Sequence, residues 1–99
     1  ANTQITPAHI LDIVAEHFTV SDQDLKSGKR NSNIAIPRQI AMYLCREMTD
    51  TPLKSIGIML GGRDHSTISH GVEKVTDDIK RDEALNNTVD IIKKKINPV

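Results

Sequence analysis

Four polar side chains stand in a row at Asp64-His65-Ser66-Thr67, directly after Gly61-Gly62-Arg63. Each is of a type that reads the edge of a nucleic-acid base. Aspartate accepts from the cytosine amino group, histidine donates to a purine, hydroxyls do either, and a threonine methyl packs on a thymine methyl. Arg63, just before them, can reach a phosphate or a guanine. A helix opening at Asp64 would add free backbone N–H groups that favour a nearby phosphate. The plainer reading of the same residues is a capping aspartate followed by ordinary first-turn hydroxyls. Catalysis fits poorly. Consecutive helical residues point about 100° apart, so they do not form a hydrogen-bonded triad. His9 and His17, and His65 and His70, lack the i, i+4 spacing of a metal pair. The lone Cys45 excludes an internal disulfide and any multi-cysteine zinc site, and it lies beside an apolar stripe. It reads as a buried small hydrophobe. The expectation is a binding domain that is not an enzyme and holds no metal.

A second cluster is Lys26-Ser-Gly-Lys-Arg-Asn-Ser-Asn33, which contains no apolar residue. A flexible, glycine-containing basic loop can follow a groove, and an arginine inserts well into a narrow A·T-rich minor groove. Two lysines and one arginine also suit a solvated surface loop. Net charge is +0, yet it is unevenly spread. Residues 1–25 hold Asp12, Glu16, Asp22 and Asp24 and no Lys or Arg; residues 26–63 hold Lys26, Lys29, Arg30, Arg38, Arg46, Lys54 and Arg63 against Glu47 and Asp50. A basic middle between acidic flanks points weakly toward a polyanion. Aromatic residues are only 2%, too thin for a base-stacking platform on single strands. No apolar run reaches the roughly 20 residues of a membrane span, and no signal-peptide pattern opens the chain at Ala1.

The elements that must position these clusters read as helix throughout, because apolar residues recur at three and four rather than alternating. Thr6-Pro7 caps and opens a first helix with the stripe Leu11, Val14, Phe18, and Ile5 and Ile10 could staple it. Ser21 with Asp24 opens a short turn of helix to about Leu25. A third helix runs from about Asn33–Pro37 to Met48, since Pro37 is tolerated only in a first turn. Thr51-Pro52 repeats the cap-and-proline device and opens a fourth, which Gly61-Gly62 stops. Asp64 caps a fifth from about His65 to Lys80 with the stripe Ile68, Val72, Val75, Ile79; Ser66, His70, Glu73 and Lys74 face the other way. Asp82 opens a sixth that ends at Asn97-Pro98. The expected fold is all-α: one compact bundle of about six helices over residues 1–99, with a helix-turn-helix, Trp-repressor-like, at about 52–80 and a basic loop at 26–33.

These residues add up to a likeness. The run Gly61-Gly-Arg-Asp-His-Ser-Thr-Ile68, preceded by Ile56-Gly57 and Ile36-Pro-Arg-Gln-Ile-Ala-Met-Tyr-Leu44, resembles the C-terminal duplex-binding domain of the bacterial replication initiator DnaA. The likeness spans about Ile5 to Ile96. It implies recognition of short asymmetric DnaA boxes at the replication origin, in the cytoplasm on the nucleoid, for initiation of chromosomal replication. It places a minor-groove reader at Arg30 and major-groove base readers at Asp64, His65, Ser66 and Thr67. It places sugar-phosphate contacts at Lys29, Arg38 and Arg63, with Lys54 and Arg46 as additional ones. Ser66 stands where many relatives have Thr, which removes a methyl. The loop has Gly28, Asn31 and Asn33 where some relatives are richer in arginine, which predicts a shallower salt dependence. No G-x-x-x-x-G-K-[ST] occurs, so an ATP site is expected only in sequence outside this chain.

Two other readings stay open. A Trp-repressor-type regulator would act as a symmetric dimer on a palindrome, whereas the DnaA likeness implies a monomeric domain. A helical protein-interaction module could use the acidic flank of Asp12, Glu16, Asp77 and Asp78, although these residues equally serve solubility.

Overall fold

A computed structural model describes residues 5–98 of the chain. Six helices follow in order: α1 (Pro7–Phe18), α2 (Asp22–Lys26), α3 (Ser32–Met48), α4 (Leu53–Met59), α5 (His65–Arg81) and α6 (Glu83–Ile96). No strand occurs among the described residues. Four of the six begin at a side chain that satisfies a free first-turn N–H. Thr6 accepts from the His9 N–H at 3.2 Å, Ser21 from Asp24 at 2.9 Å, Asp64 from Thr67 at 2.9 Å and Asp82 from Leu85 at 3.1 Å. These are the cap residues expected from the sequence.

The other two starts differ. α3 begins at Ser32, so Pro37 lies in its second turn rather than its first. The bond that Pro37 forfeits is the one to the Asn33 carbonyl, on an exposed residue where water can take its place. Asn31 precedes α3 without a side-chain cap; its amide donates to the Asn33 side chain instead. α4 starts one residue later than expected, with Pro52 as the cap position and no side-chain cap bond. The Thr51 hydroxyl is engaged elsewhere, accepting from Thr49 at 2.8 Å.

α3 is the central element, touching α1, α2, α4 and α5, while α6 closes the bundle against α1 and α5. One apolar cluster draws on all six helices, through Ile10 and Leu11, Leu25, Ile40 and Leu44, Ile56, Ile68, and Ile92 among others. Burying each such side chain contributes roughly 1.5–3 kcal/mol against the entropy of ordering the chain. Cys45 belongs to this cluster, and burial pushes its thiol up to about 12.

The turn between α4 and α5 depends on two glycines. At Gly57 an added Cβ would overlap the Arg63 carbonyl, and the Gly57 carbonyl itself accepts from the N–H groups of Gly62 at 3.0 Å and Arg63 at 2.9 Å. Gly61 has φ +83, and a Cβ there would overlap the Lys26 carbonyl at the end of α2. The helix-turn-helix is therefore packed directly against the start of the basic loop.

Candidate nucleic-acid interface

The α5 tip is built by its own cap. Asp64 Oδ1 accepts from the Thr67 N–H and, at 3.0 Å, from the Thr67 hydroxyl. The Thr67 backbone N–H, then its hydroxyl, hold the Asp64 carboxyl below the usual aspartate range. It stays an anion at neutral pH, with its second oxygen uncommitted to the cap. Asp64, His65, Ser66 and Thr67 are all exposed, while Ile68, Gly71 and Val75 on the opposite stripe are buried. The capping reading and the base-reading one thus coexist: the bond that starts the helix leaves four polar side chains facing solvent.

The basic loop lies beside this tip. Arg30 and Lys29 are exposed, and Lys29 pairs with Asp24 at 2.9 Å. Between loop and α5 runs an open groove of about 570 Å³, floored by α3. Arg30, Arg38, Arg63, Thr67, His70 and Lys74 line it, and among the described residues no acidic side chain does. Four of the lining side chains are cationic although the chain's net charge is zero.

Comparison with known proteins sharpens what this face is. The family described as the bacterial DnaA-protein helix-turn-helix matches residues 7–75, a span that holds both the loop and the α5 tip. The chain belongs to this DnaA helix-turn-helix family. The chromosomal replication initiator protein DnaA of Lachnoclostridium phytofermentans is 55% identical over 89 residues, covering 90% of this chain. The chain spans 20% of that relative's length.

Within this DnaA-family domain one residue expected at the sugar-phosphate backbone lies largely inside the protein. Arg38 is only 5% exposed. Its Nε donates to the Leu25 carbonyl at 2.8 Å, Nη1 to Lys29 at 2.8 Å, and Nη2 to Asp24 and Ser27 at 3.0 Å each. Its guanidinium is directed to the protein's own backbone rather than held out toward a phosphate. Burial, then the nearby charge of Arg63, lowers its pKa. Arg63 is half-buried in the same way, donating to Leu60 at 2.6 Å and to Ser27 at 2.6 Å. The loop is consequently not the loose segment expected from its composition; its backbone is fastened from both sides. Lys54 on α4 and Arg46 on α3 are exposed, but neither lines the groove.

Gln39, His70 and Lys74 also line the groove without having been assigned a contact from sequence. The outward stripe of α5 already held His70 and Lys74, so the signal was present in their helical phase. Gln39 carried none, since its place depends on how α3 passes beneath α5. Among the described residues, no three His, Cys, Asp or Glu side chains gather into a metal site. No described helix is long and apolar enough to cross a membrane.

Proposed function

We propose that this domain binds duplex DNA at DnaA boxes of a replication origin, as a single copy reading a short asymmetric site, in the cytoplasm on the nucleoid. The observation that carries the reading is the cationic groove between Arg30 and the exposed α5 tip. In B-DNA the major and minor grooves are separated by one sugar-phosphate strand. A protein that reads both side by side must straddle that strand, and the surface between its two readers must then be cationic and free of carboxylates. This groove meets the requirement. The α5 tip enters the major groove with Asp64, His65, Ser66 and Thr67 toward base edges, as a helix-turn-helix does. Arg30 enters the neighbouring minor groove and responds mainly to its width. Lys29, Arg63 and Lys74 hold the strand between them and fix register. The initiator's other activities, nucleotide binding among them, belong to sequence beyond this chain.

Fluorescence anisotropy with an origin box and a scrambled duplex, across a salt series, tests the proposal. The box should bind at least a hundredfold more tightly at every salt concentration. Equal binding to both duplexes would reduce the domain to a non-specific DNA binder. A stable dimer by analytical ultracentrifugation, with a palindrome preferred, would favour a Trp-repressor-type regulator instead.

A further inference from the structure

Arg38 is a buried cation with no carboxylate partner among the described residues. Such a group is retained only where hydrogen bonds replace its water. Its fork reaches four carbonyls, of Asp24, Leu25, Ser27 and Lys29, at the end of α2 and along the loop that follows. The last carbonyls of a helix have no partner within the helix and carry its negative end, so the cation also suits them electrostatically. Ser27 is the hub of the loop. Its carbonyl takes both Arg38 and Arg63, while its hydroxyl donates to the Asp24 carbonyl at 2.7 Å and accepts from the Lys29 N–H at 3.2 Å. Arg63 in turn belongs to the helix-turn-helix turn, where Gly61 sits against the Lys26 carbonyl. The fastened Lys29 carbonyl is the peptide link directly before Arg30.

We infer that Arg38 is a positioning residue for DNA reading: with Arg63, it locks the loop backbone to the helix-turn-helix so that Arg30 is held in fixed register with the α5 tip. This rests on the proposed division between a minor-groove arginine and a major-groove helix. It assigns Arg38 a role exerted through Arg30, not through a phosphate. The planar guanidinium is required because a lysine presents its donors from one nitrogen and cannot span carbonyls from residues 24 to 29.

Lysine at this position separates the two roles, since it keeps the charge and loses the fork. In the DNA-free chain, Arg38→Lys should retain its helical circular dichroism. The backbone order parameters of Gly28, Lys29 and Arg30 should fall from the rigid range of about 0.85 toward 0.6 or below. On an origin box, Arg38→Lys should lose about tenfold in affinity with an unchanged salt slope, and it should relax preference at the end of the site that Arg30→Ala also affects. In an Arg30→Ala background the same change should cost less than twofold, because the residue acted through is gone. Full box affinity in Arg38→Lys, or additive losses in the double variant, would overturn the inference and return Arg38 to the phosphate contacts. Should Arg38→Lys fail to fold, Arg63→Lys carries the same test through the order parameters of the DNA-free chain alone, because it cuts the turn's bonds to Ser27 and Leu60; loop amides as ordered as in the wild type would then count against the lock. The order parameters are read without DNA. Loss of box preference in the wild type would therefore sink the functional proposal while leaving the lock to be decided by them.

Discussion

Arg30 lines the groove from the loop and His65 stands exposed at the α5 tip, and their proposed tasks predict different losses. Arg30→Ala should cost about 1–3 kcal/mol on the box, with the loss confined to discrimination at one end of the site. His65→Ala should cost a similar amount but relax preference at bases read from the major groove. Anisotropy against duplexes altered one base pair at a time measures both. Overlapping specificity profiles for the two variants would contradict two separate readers. The residues of the α5 tip were legible because their meaning is local: a capping aspartate, a polar first turn and an apolar stripe on the other side lie within a dozen residues. Arg38 was not. Its partners are contributed by α2 and the loop, 9 to 14 residues away, and Ser27 is shared with Arg63, 36 residues further along the chain. Nothing in the type or spacing of an arginine in a helix tells whether it faces a phosphate or a neighbouring carbonyl.

Elements begin and end where backbone groups find partners, and this explains which boundaries the sequence revealed. Thr6, Ser21, Asp64 and Asp82 each satisfy an N–H three residues on, so the signature and the structure coincide. Thr51-Pro52 has the same signature, but the hydroxyl bonds to Thr49 and the helix begins beyond the proline. The cap at Asp64 makes α5 acid-sensitive. The carboxyl's folded pKa lies below its unfolded value of 3.8, so its stabilising contribution is complete above about 3.8 and is lost as pH falls through the folded value. Asp64→Asn keeps an accepting oxygen and removes the titration. Its melting temperature should fall less steeply than the wild type's below pH 4; parallel acid curves would show that the cap is not felt globally. The turn before α5 gives a second contrast. Gly61 and Gly62 have nearly equal φ, +83 and +82, but a Cβ at Gly61 meets the Lys26 backbone while one at Gly62 meets nothing. Gly62→Ala should therefore cost about 1–2 kcal/mol from its left-handed backbone alone. Gly61→Ala should cost about 2 kcal/mol more, since the obstacle is main chain that cannot step aside. Urea unfolding of the two variants, with equal costs as the contrary outcome, decides whether the α2 contact matters.

The whole molecule segregates charge that its composition hides. With +0 overall, attraction to a polyanion must come from one face, and the groove supplies it. Composition indicated the basic middle segment, but not that α3 would bring the loop beside α5. That arrangement depends on core packing around Ile40, Leu44 and Ile68, and on Gly71, where α5 comes so close to Met42 that a Cβ would overlap its sulfur. The same arrangement bounds the salt dependence. Arg38 is enclosed, Lys29 is paired with Asp24 at 2.9 Å and Lys74 with Asp78 at 2.9 Å, so several cations already have protein partners. Exposed pairs of this kind are weak and can exchange for phosphate, but each exchange releases less than a full counterion's worth of free energy. About four phosphate contacts would give a slope of log K against log salt near −3.6. Lys54 is exposed on α4, outside the groove, and on the proposed reading it meets DNA only at phosphate; Lys54→Ala should then weaken box and scrambled duplex alike and make the slope shallower by about one unit. An altered sequence preference at an unchanged slope would mean that α4 takes part in reading bases, and the division between reading and holding would have to be drawn elsewhere on the surface.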